Sequence, residues 1–328
     1  MVLFLFAILS LAAVASHALA ADGSRPNPGG PPTPVHITIF VLDVDEIRSS
    51  DQSFDANVYF AFRWKDPRLA HEGPGKITRP LHDVWNPNPL IINQQRSWLT
   101  MPDIVEISPD GEVTYRQRVW GAFSQPLSLR NFPFDRQGFS ISIAAVSNDP
   151  GEVKFILETI IPSGITSKLS VADWTITDWR SGPFRYEPIP GISVSAYELV
   201  FDGKRRYGYF IAKVIIPLIL IVAMSWVVFW INPKEAGTQI SVAITAMLTL
   251  IAYRFAVGAD LPKISYMTRL DYFILGSTIL VFASLLEVVI TSAYARSGRL
   301  ALAIKLDLWC RWLFPGVFAI LAFKSLIV

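Results

Sequence analysis

The chain has 328 residues, a net charge of +2, and 52% hydrophobic against 17% charged residues, with a mean hydropathy of +0.38. It is too apolar for an ordinary soluble enzyme and too charged for a protein wholly embedded in lipid, so a half-soluble, half-membrane organisation is expected. A charge this close to neutral, with no Lys/Arg cluster, excludes a nucleic-acid partner, and the single Cys310 excludes an intrachain disulfide or a cysteine metal cluster.

Residues 2–15 form an apolar run too short to span a bilayer comfortably, followed by the small-x-small pattern Ala18-Leu19-Ala20. This predicts a signal peptide over 1–20, cleaved after Ala20; no Lys or Arg precedes the apolar run, so an uncleaved N-terminal anchor stays open as an alternative. Residues 21–33 are mostly Pro, Gly, Asn and Ser and read as a flexible lead-in. From 34 to 206 short runs with period-two alternation, such as 36–42, 57–64, 139–146 and 152–158, are separated by turns including Asp110-Gly111, Asn148-Asp149-Pro150-Gly151 and Asp202-Gly203. Many short strands at this spacing predict an extracellular, all-β, immunoglobulin-like sandwich.

At residue 207 the composition changes. Four stretches, about 208–231, 240–259, 270–295 and 306–327, are apolar enough to cross roughly 30 Å of hydrocarbon, which predicts a four-helix transmembrane bundle over 207–328. Lys234 lies in the first connection and Arg296, Arg299 and Lys305 in the third. The positive-inside rule places those ends in the cytoplasm and both the N-terminal domain and the C-terminus outside.

The second helix is less uniformly apolar. Ser241, Thr245, Leu248, Ala252, Phe255 and Ala259 recur at spacings of four and three, which keeps them on one face. The hydroxylated end of this stripe suits an ion filter, with Ser241 the first ring, and Leu248 and Phe255 suit a gate that closes by dewetting. The alternative is that these are simply small residues that allow close helix packing. Glu235 and Asp260 flank the helix and would form acidic rings favouring cations in a ring of identical subunits. Arg254 lies beside the stripe, where it should snorkel outward or meet a neighbouring helix.

Several motifs together resemble the pentameric ligand-gated ion channels, the Cys-loop receptor superfamily, and within it the bacterial homologues of the Erwinia-channel type. The segment 233–245, Pro-Lys-Glu-Ala-Gly-Thr-Gln-Ile-Ser-Val-Ala-Ile-Thr, is similar to the start of that family's cationic pore helix, and 247–255, Met-Leu-Thr-Leu-Ile-Ala-Tyr-Arg-Phe, to the bacterial form of its middle. Leu261-Pro262 and Tyr266-Met267-Thr268 resemble the loop that follows, and Phe132-Pro133-Phe134-Asp135 the signature turn. Gln125 and Phe139 stand where that turn is normally closed by a disulfide, as in bacterial members. Thr238 replaces the acidic residue eukaryotic cation channels carry just below the pore helix, leaving Glu235 one turn further out. Glu287 matches a bacterial family position and is expected to be paired.

The resemblance implies a homopentamer in the bacterial inner membrane that passes monovalent cations when a small-molecule agonist binds between adjacent extracellular domains, with membrane lipid around it and no cofactor or metal. It places Tyr59 and Trp120 on the complementary side and Tyr186 and Tyr197 on the closing flap, and counts Val146 among the ligand-binding positions. The tyrosine faces suggest an amine agonist, although Ile92 and Val146 occupy positions that are often aromatic. Trp64 and Trp85 are read as core. The coupling residues implied are Asp135, the loop carrying Asp45 and Glu46, Arg205 and Arg206 before the first helix, and Pro262 and Lys263. Gating by pH, through carboxylates or His36, His71 or His82, is a competing reading. A membrane-anchored receptor that does not conduct is a third; an enzyme is not expected, since Gly-x-Ser-x-Gly, Gly-x-Gly-x-x-Gly and His-Glu-x-x-His are absent from the sequence.

Overall fold

The computed structural model describes residues 23–146, 148–149, 151–258, 261 and 264–327. The expected signal peptide, and Ala259, Asp260, Pro262 and Lys263, lie outside the described residues. The N-terminal half is a two-sheet sandwich. Its larger sheet contains β1 (Thr33–Arg48), β2 (Ser53–Lys65), β3 (Ile77–Pro80), β5 (Gln94–Leu99), β6 (Ile104–Ile107), β7 (Glu112–Ser124), β9 (Val153–Leu157) and β10 (Gly164–Ile165). The smaller sheet is ordered β11 (Trp174–Ile189), β12 (Ile192–Arg205), β8 (Arg136–Ala144), β4 (Leu90–Ile91).

Strict alternation drives this layering. Along β7 the buried residues are Val113, Tyr115, Gln117, Val119, Gly121 and Phe123, and side chains two apart share a face. Between the sheets, Phe54 packs on Phe123 (5.4 Å), Phe139 (5.4 Å) and Phe201 (5.6 Å), and Phe139 meets Trp174 edge-on at 5.4 Å. Trp64 and Trp85 are buried and T-shaped to each other at 6.0 Å. They are core side chains.

Residues 23–32 form no regular element; within them Arg25 is 7% exposed, and its guanidinium donates to the carbonyls of Gly30, Pro31 and Glu152, which satisfies backbone acceptors of the segment and of the sandwich together. One expectation is corrected here. Asp45 and Glu46 are not in a loop. β1 continues past bulges at Val41/Asp43 and Val44/Glu46 to pair Arg48 with Ser53, so the turn is 49–52, and the bulges keep the strand in the ladder despite its polar end.

An arginine bridge stabilises the outer face of the larger sheet. Arg63 donates to Glu158 (2.7 and 2.9 Å) and to Glu112 (2.6 Å). Burial works to raise the Glu158 carboxyl, but Arg63 and the N–H groups of Ile160 and Thr159 outweigh it and hold it below the ordinary glutamate value. A depressed folded-state pKa contributes stability that is present above the unfolded value of 4.5 and is lost as pH falls through the folded one. Glu158→Gln should therefore lower stability near neutral pH by about 1–3 kcal/mol and flatten the acid limb of thermal melts of the full-length protein. An acid limb identical to wild type would contradict this.

The C-terminal half is four antiparallel helices: α1 (Gly208–Trp230), α2 (Ala236–Gly258), α3 (Arg269–Arg296) and α4 (Leu300–Leu326), each long and apolar enough to cross a membrane. After one α-helical turn, Gly208–Phe210, α1 has a π-helical stretch, Ile211–Ile215, just before Pro217, whose missing N–H and bulky ring disturb a regular ladder. α2 begins four residues earlier than its hydropathy suggests, because Asn232 caps a 3-10 turn, Pro233–Glu235, that runs straight into it. α4 begins six residues earlier: Gly298, at φ +79°, ends α3, and the helix restarts at once, carrying Lys305 and Asp307 inside it. α3 starts with a capping box in which Thr268 and Asp271 satisfy each other's amides.

Candidate functional site: pore stripe, domain junction and hairpin cluster

On α2 the residues packed into the bundle are Gln239, Ala243, Ala246, Leu250 and Val257. At about 100° per residue they centre opposite the sequence-derived stripe, and Ser241, Thr245, Leu248, Ala252 and Phe255 are all exposed on the subunit. Phe255 is 82% and Leu248 61% exposed. Thr245 donates its hydroxyl to the Ser241 carbonyl at 2.8 Å, and Thr249 to Thr245 at 2.8 Å. Each hydroxyl proton is thus turned back on the helix, which leaves the oxygen lone pairs facing outward as acceptors. Glu235 is exposed at the foot of the helix. Arg254 is exposed and lines a cavity of about 390 Å³ with Tyr253, Tyr266 and Asp271.

The two halves meet around Asp135. Its carboxylate, 1% exposed, accepts from Arg205 Nε (2.7 Å), Arg205 Nη2 (3.2 Å) and Gln137 Nε2 (2.7 Å). Arg205 also reaches Ser49 Oγ in the β1–β2 turn at 2.9 Å and stacks over Trp174 (4.3 Å) and Phe132 (4.9 Å). The loop before Asp135 touches the helices directly: Phe132 packs on Phe210 at 4.7 Å and Phe134 on Tyr207 at 5.1 Å. The N–H groups of Arg269 and Leu270 donate to the carbonyls of Arg130 and Phe132. Tyr266 Oη accepts from the Leu129 N–H at 2.9 Å.

Asp135 and Arg205 are therefore brought together, but Arg206 is not part of that pair. It binds Thr175 Oγ1 and the Ala172 carbonyl instead, because consecutive residues at the end of a strand point to opposite sides. Nor do Asp45 and Glu46 join it: Asp45 accepts from Trp120 Nε1 at 2.7 Å, and Glu46 lies 3.5 Å from Arg48. Where the resemblance has a disulfide, Gln125 Oε1 accepts from Ser140 N (2.9 Å) and Oγ (3.1 Å) while Phe139 fills the core. A side-chain bridge closes the loop without a covalent bond.

The aromatic positions divide. Val146 and Tyr186 do come together, with Ile92 and Phe184, in an apolar cluster on Ala144, Val194 and Ala196 beneath the β11–β12 hairpin. Phe184, two residues before Tyr186 on the same strand face, is the residue sequence reasoning missed; its period-two spacing was the available signal. Tyr197 is corrected: it is fully buried, hydrogen-bonded to Ser181 at 3.1 Å, and shares the inward face with Leu199 and Phe201. Tyr59 and Trp120 lie together on the outward face of the other sheet. Tyr59 is hydrogen-bonded to Arg116, and burial raises its phenol above the ordinary value. Trp120 is 42% exposed and stacks on Trp98 at 5.0 Å. The Val146–Tyr186 cluster and the Tyr59–Trp120 face belong to different sheets of one subunit.

A β-sandwich clamped onto four membrane-length helices, one of which leaves a hydroxyl-to-aromatic stripe unpacked, defines a subunit of a ligand-gated ion channel. The chain belongs to the neurotransmitter-gated ion-channel family. Residues 21–181 match that family's ligand binding domain and residues 214–299 its transmembrane region.

Proposed function

We propose that five copies of this chain form a cation-selective channel of the bacterial inner membrane, opened by a small amine bound between adjacent extracellular domains. The observation that carries the conduction reading is the α2 stripe. An exposed helix face with acceptor oxygens at one end and large apolar side chains at the other buries nothing in the subunit, and a ring of copies turns it into a path with a filter and a gate. Glu235 at the foot of each α2 supports a preference for cations, as does Asp260, which follows α2 in the sequence.

The agonist reading rests on the sandwich. Tyr186 and Phe184 present aromatic surface under the hairpin of one subunit, and Tyr59 and Trp120 present it on the opposite sheet, the face a neighbour would offer. Cation–π contact of about 0.5–2 kcal/mol per ring suits an ammonium group. In planar-bilayer recordings of the purified protein, Tyr186→Ala and Phe184→Ala should each raise the half-maximal concentration of an activating amine about 2- to 30-fold. Currents unchanged at every concentration would remove the amine from this site, and no conductance with any of a panel of primary and quaternary amines would overturn the whole reading.

A further inference from the structure

The helical bundle holds a buried polar cluster that the pore stripe does not use. Gln239, at the foot of α2, is 0% exposed and Asp307 on α4 is 1% exposed. Gln239 Nε2 donates to the carbonyls of Val228 (3.2 Å) and Ile231 (2.9 Å) and to Asp307 Oδ2 (3.4 Å). One amide thus ties the end of α1, the start of the pore helix and α4. Glu287 on α3 interacts with Asp307 side chain to side chain, and both its carboxyl oxygens are buried. Around them lie Phe229, Ala243, Val288 and Phe314.

Four oxygens in this cluster are buried without a donor: Gln239 Oε1, both Glu287 carboxyl oxygens and Asp307 Oδ1. With both acids ionised, every one of these atoms is an acceptor and none can bond another. Two carboxylates side by side in an apolar, water-poor bundle also repel strongly, which is the condition under which one of them retains a proton. The other titratable or charged groups that act on the pair are Cys310 and Arg311, both on α4. Arg311 is committed elsewhere, donating to the Phe229 carbonyl at 2.9 Å and lying over the Trp230 ring; the turn Pro233–Glu235, packed against α3 and α4, carries Lys234 and Glu235, both exposed, and the groups contributed by α1 and α2 are uncharged.

We propose that Glu287 and Asp307 form a proton-binding site in which the two carboxyls share one proton, latching α3 and α4 to the foot of the pore helix through Gln239. A metal cation is a poorer fit. The Gln239 N–H already points at Asp307, and no group of three or more His, Cys, Asp or Glu that could hold a metal ion occurs among the described residues. Loss of the proton to solvent leaves two anions in contact. Their repulsion then parts Glu287 from Asp307, which the Gln239 N–H holds the more tightly as an anion; the link from α3 to the Asp307–Gln239 pair is broken, and channel opening becomes a function of pH.

Two measurements on the full-length protein in liposomes test this, and only the second depends on the channel reading. Infrared spectroscopy at neutral pH should show the carbonyl band of a protonated carboxyl, shifted on deuteration, that is absent from E287Q and displaced in frequency in D307N, where Glu287 loses the carboxylate it shares the proton with. In current recordings, stepping from about pH 5 to about pH 9 should change wild-type open probability about fivefold or more, the usual size of coupling between sites. E287Q, which keeps a permanent donor, should hold its open probability within about twofold across the same step. A wild-type protein with no protonated-carboxyl band overturns the proposal even if neither variant assembles. So does an E287Q channel that keeps the band or the full pH response, or a response that follows sodium concentration instead of pH. A silent channel with the infrared band present would count against the conduction reading and leave the proton site standing.

Discussion

Replacing Asp135 with alanine is expected to uncouple the two halves of the subunit and to destabilise it by about 3–5 kcal/mol, the cost of leaving one member of a buried ion pair alone. The Arg205 side chain is 4% exposed and the Asp135 side chain 0%, so water cannot replace the lost carboxylate. Ser49 Oγ would be the one remaining side-chain acceptor among those Arg205 now uses, and Gln137 would lose its bond to the carboxylate as well. The substitution also loosens the loop that carries Phe132 and Phe134 onto Phe210 and Tyr207. Agonist-evoked current should fall or vanish while the reversal potential in asymmetric salt is unchanged, since Asp135 and its partners Gln137, Arg205 and Ser49 lie in the sandwich and not on α2. Asp135→Asn keeps the size and one acceptor and should fall between wild type and alanine in thermal melts. A changed ion preference with intact gating would contradict this assignment.

Phe255→Ala should open the channel at rest. The side chain is the most exposed large hydrophobic one on α2, and in a ring of copies five phenyl groups would converge on the axis, where a large apolar constriction excludes water and ions. Removing all five at once should raise ligand-free leak at least about tenfold, equivalent to about 1.4 kcal/mol in the closed-to-open balance. Leu248→Ala, two turns nearer the foot, tests the second proposed ring. A leak from Leu248→Ala alone would move the gate to that level, and no leak from either would take the gate off this stripe. The measurement is steady current without agonist, normalised to the amount of inserted protein.

How much of this was legible beforehand differs from element to element. The stripe from Ser241 to Phe255 could be read from spacing alone, since helical periodicity decides a face without reference to any partner. The hairpin tyrosines could not be separated by residue type. Tyr186 and Tyr197 read as equivalent aromatics until the register placed Tyr197 in line with Leu199 and Phe201 on the inward face, while Tyr186 sits near the hairpin's end, opposite Val194. Asp45 and Glu46 were placed in a loop by the family resemblance, whereas the bulges in β1 absorb the irregularity there and keep the ladder intact.

Composition and periodicity by themselves determined that this is a β-rich domain followed by four membrane-length helices, and which face of the second helix is left over. Those properties depend on each segment's own side chains. The tertiary structure alone decided which charges are paired. Asp135 and Arg205 are 70 residues apart in the chain, and Gln239 and Asp307 are 68 apart. Their meeting depends on how strands and helices pack, and the strength of each contact depends on the exclusion of water around it, which no local stretch of sequence encodes.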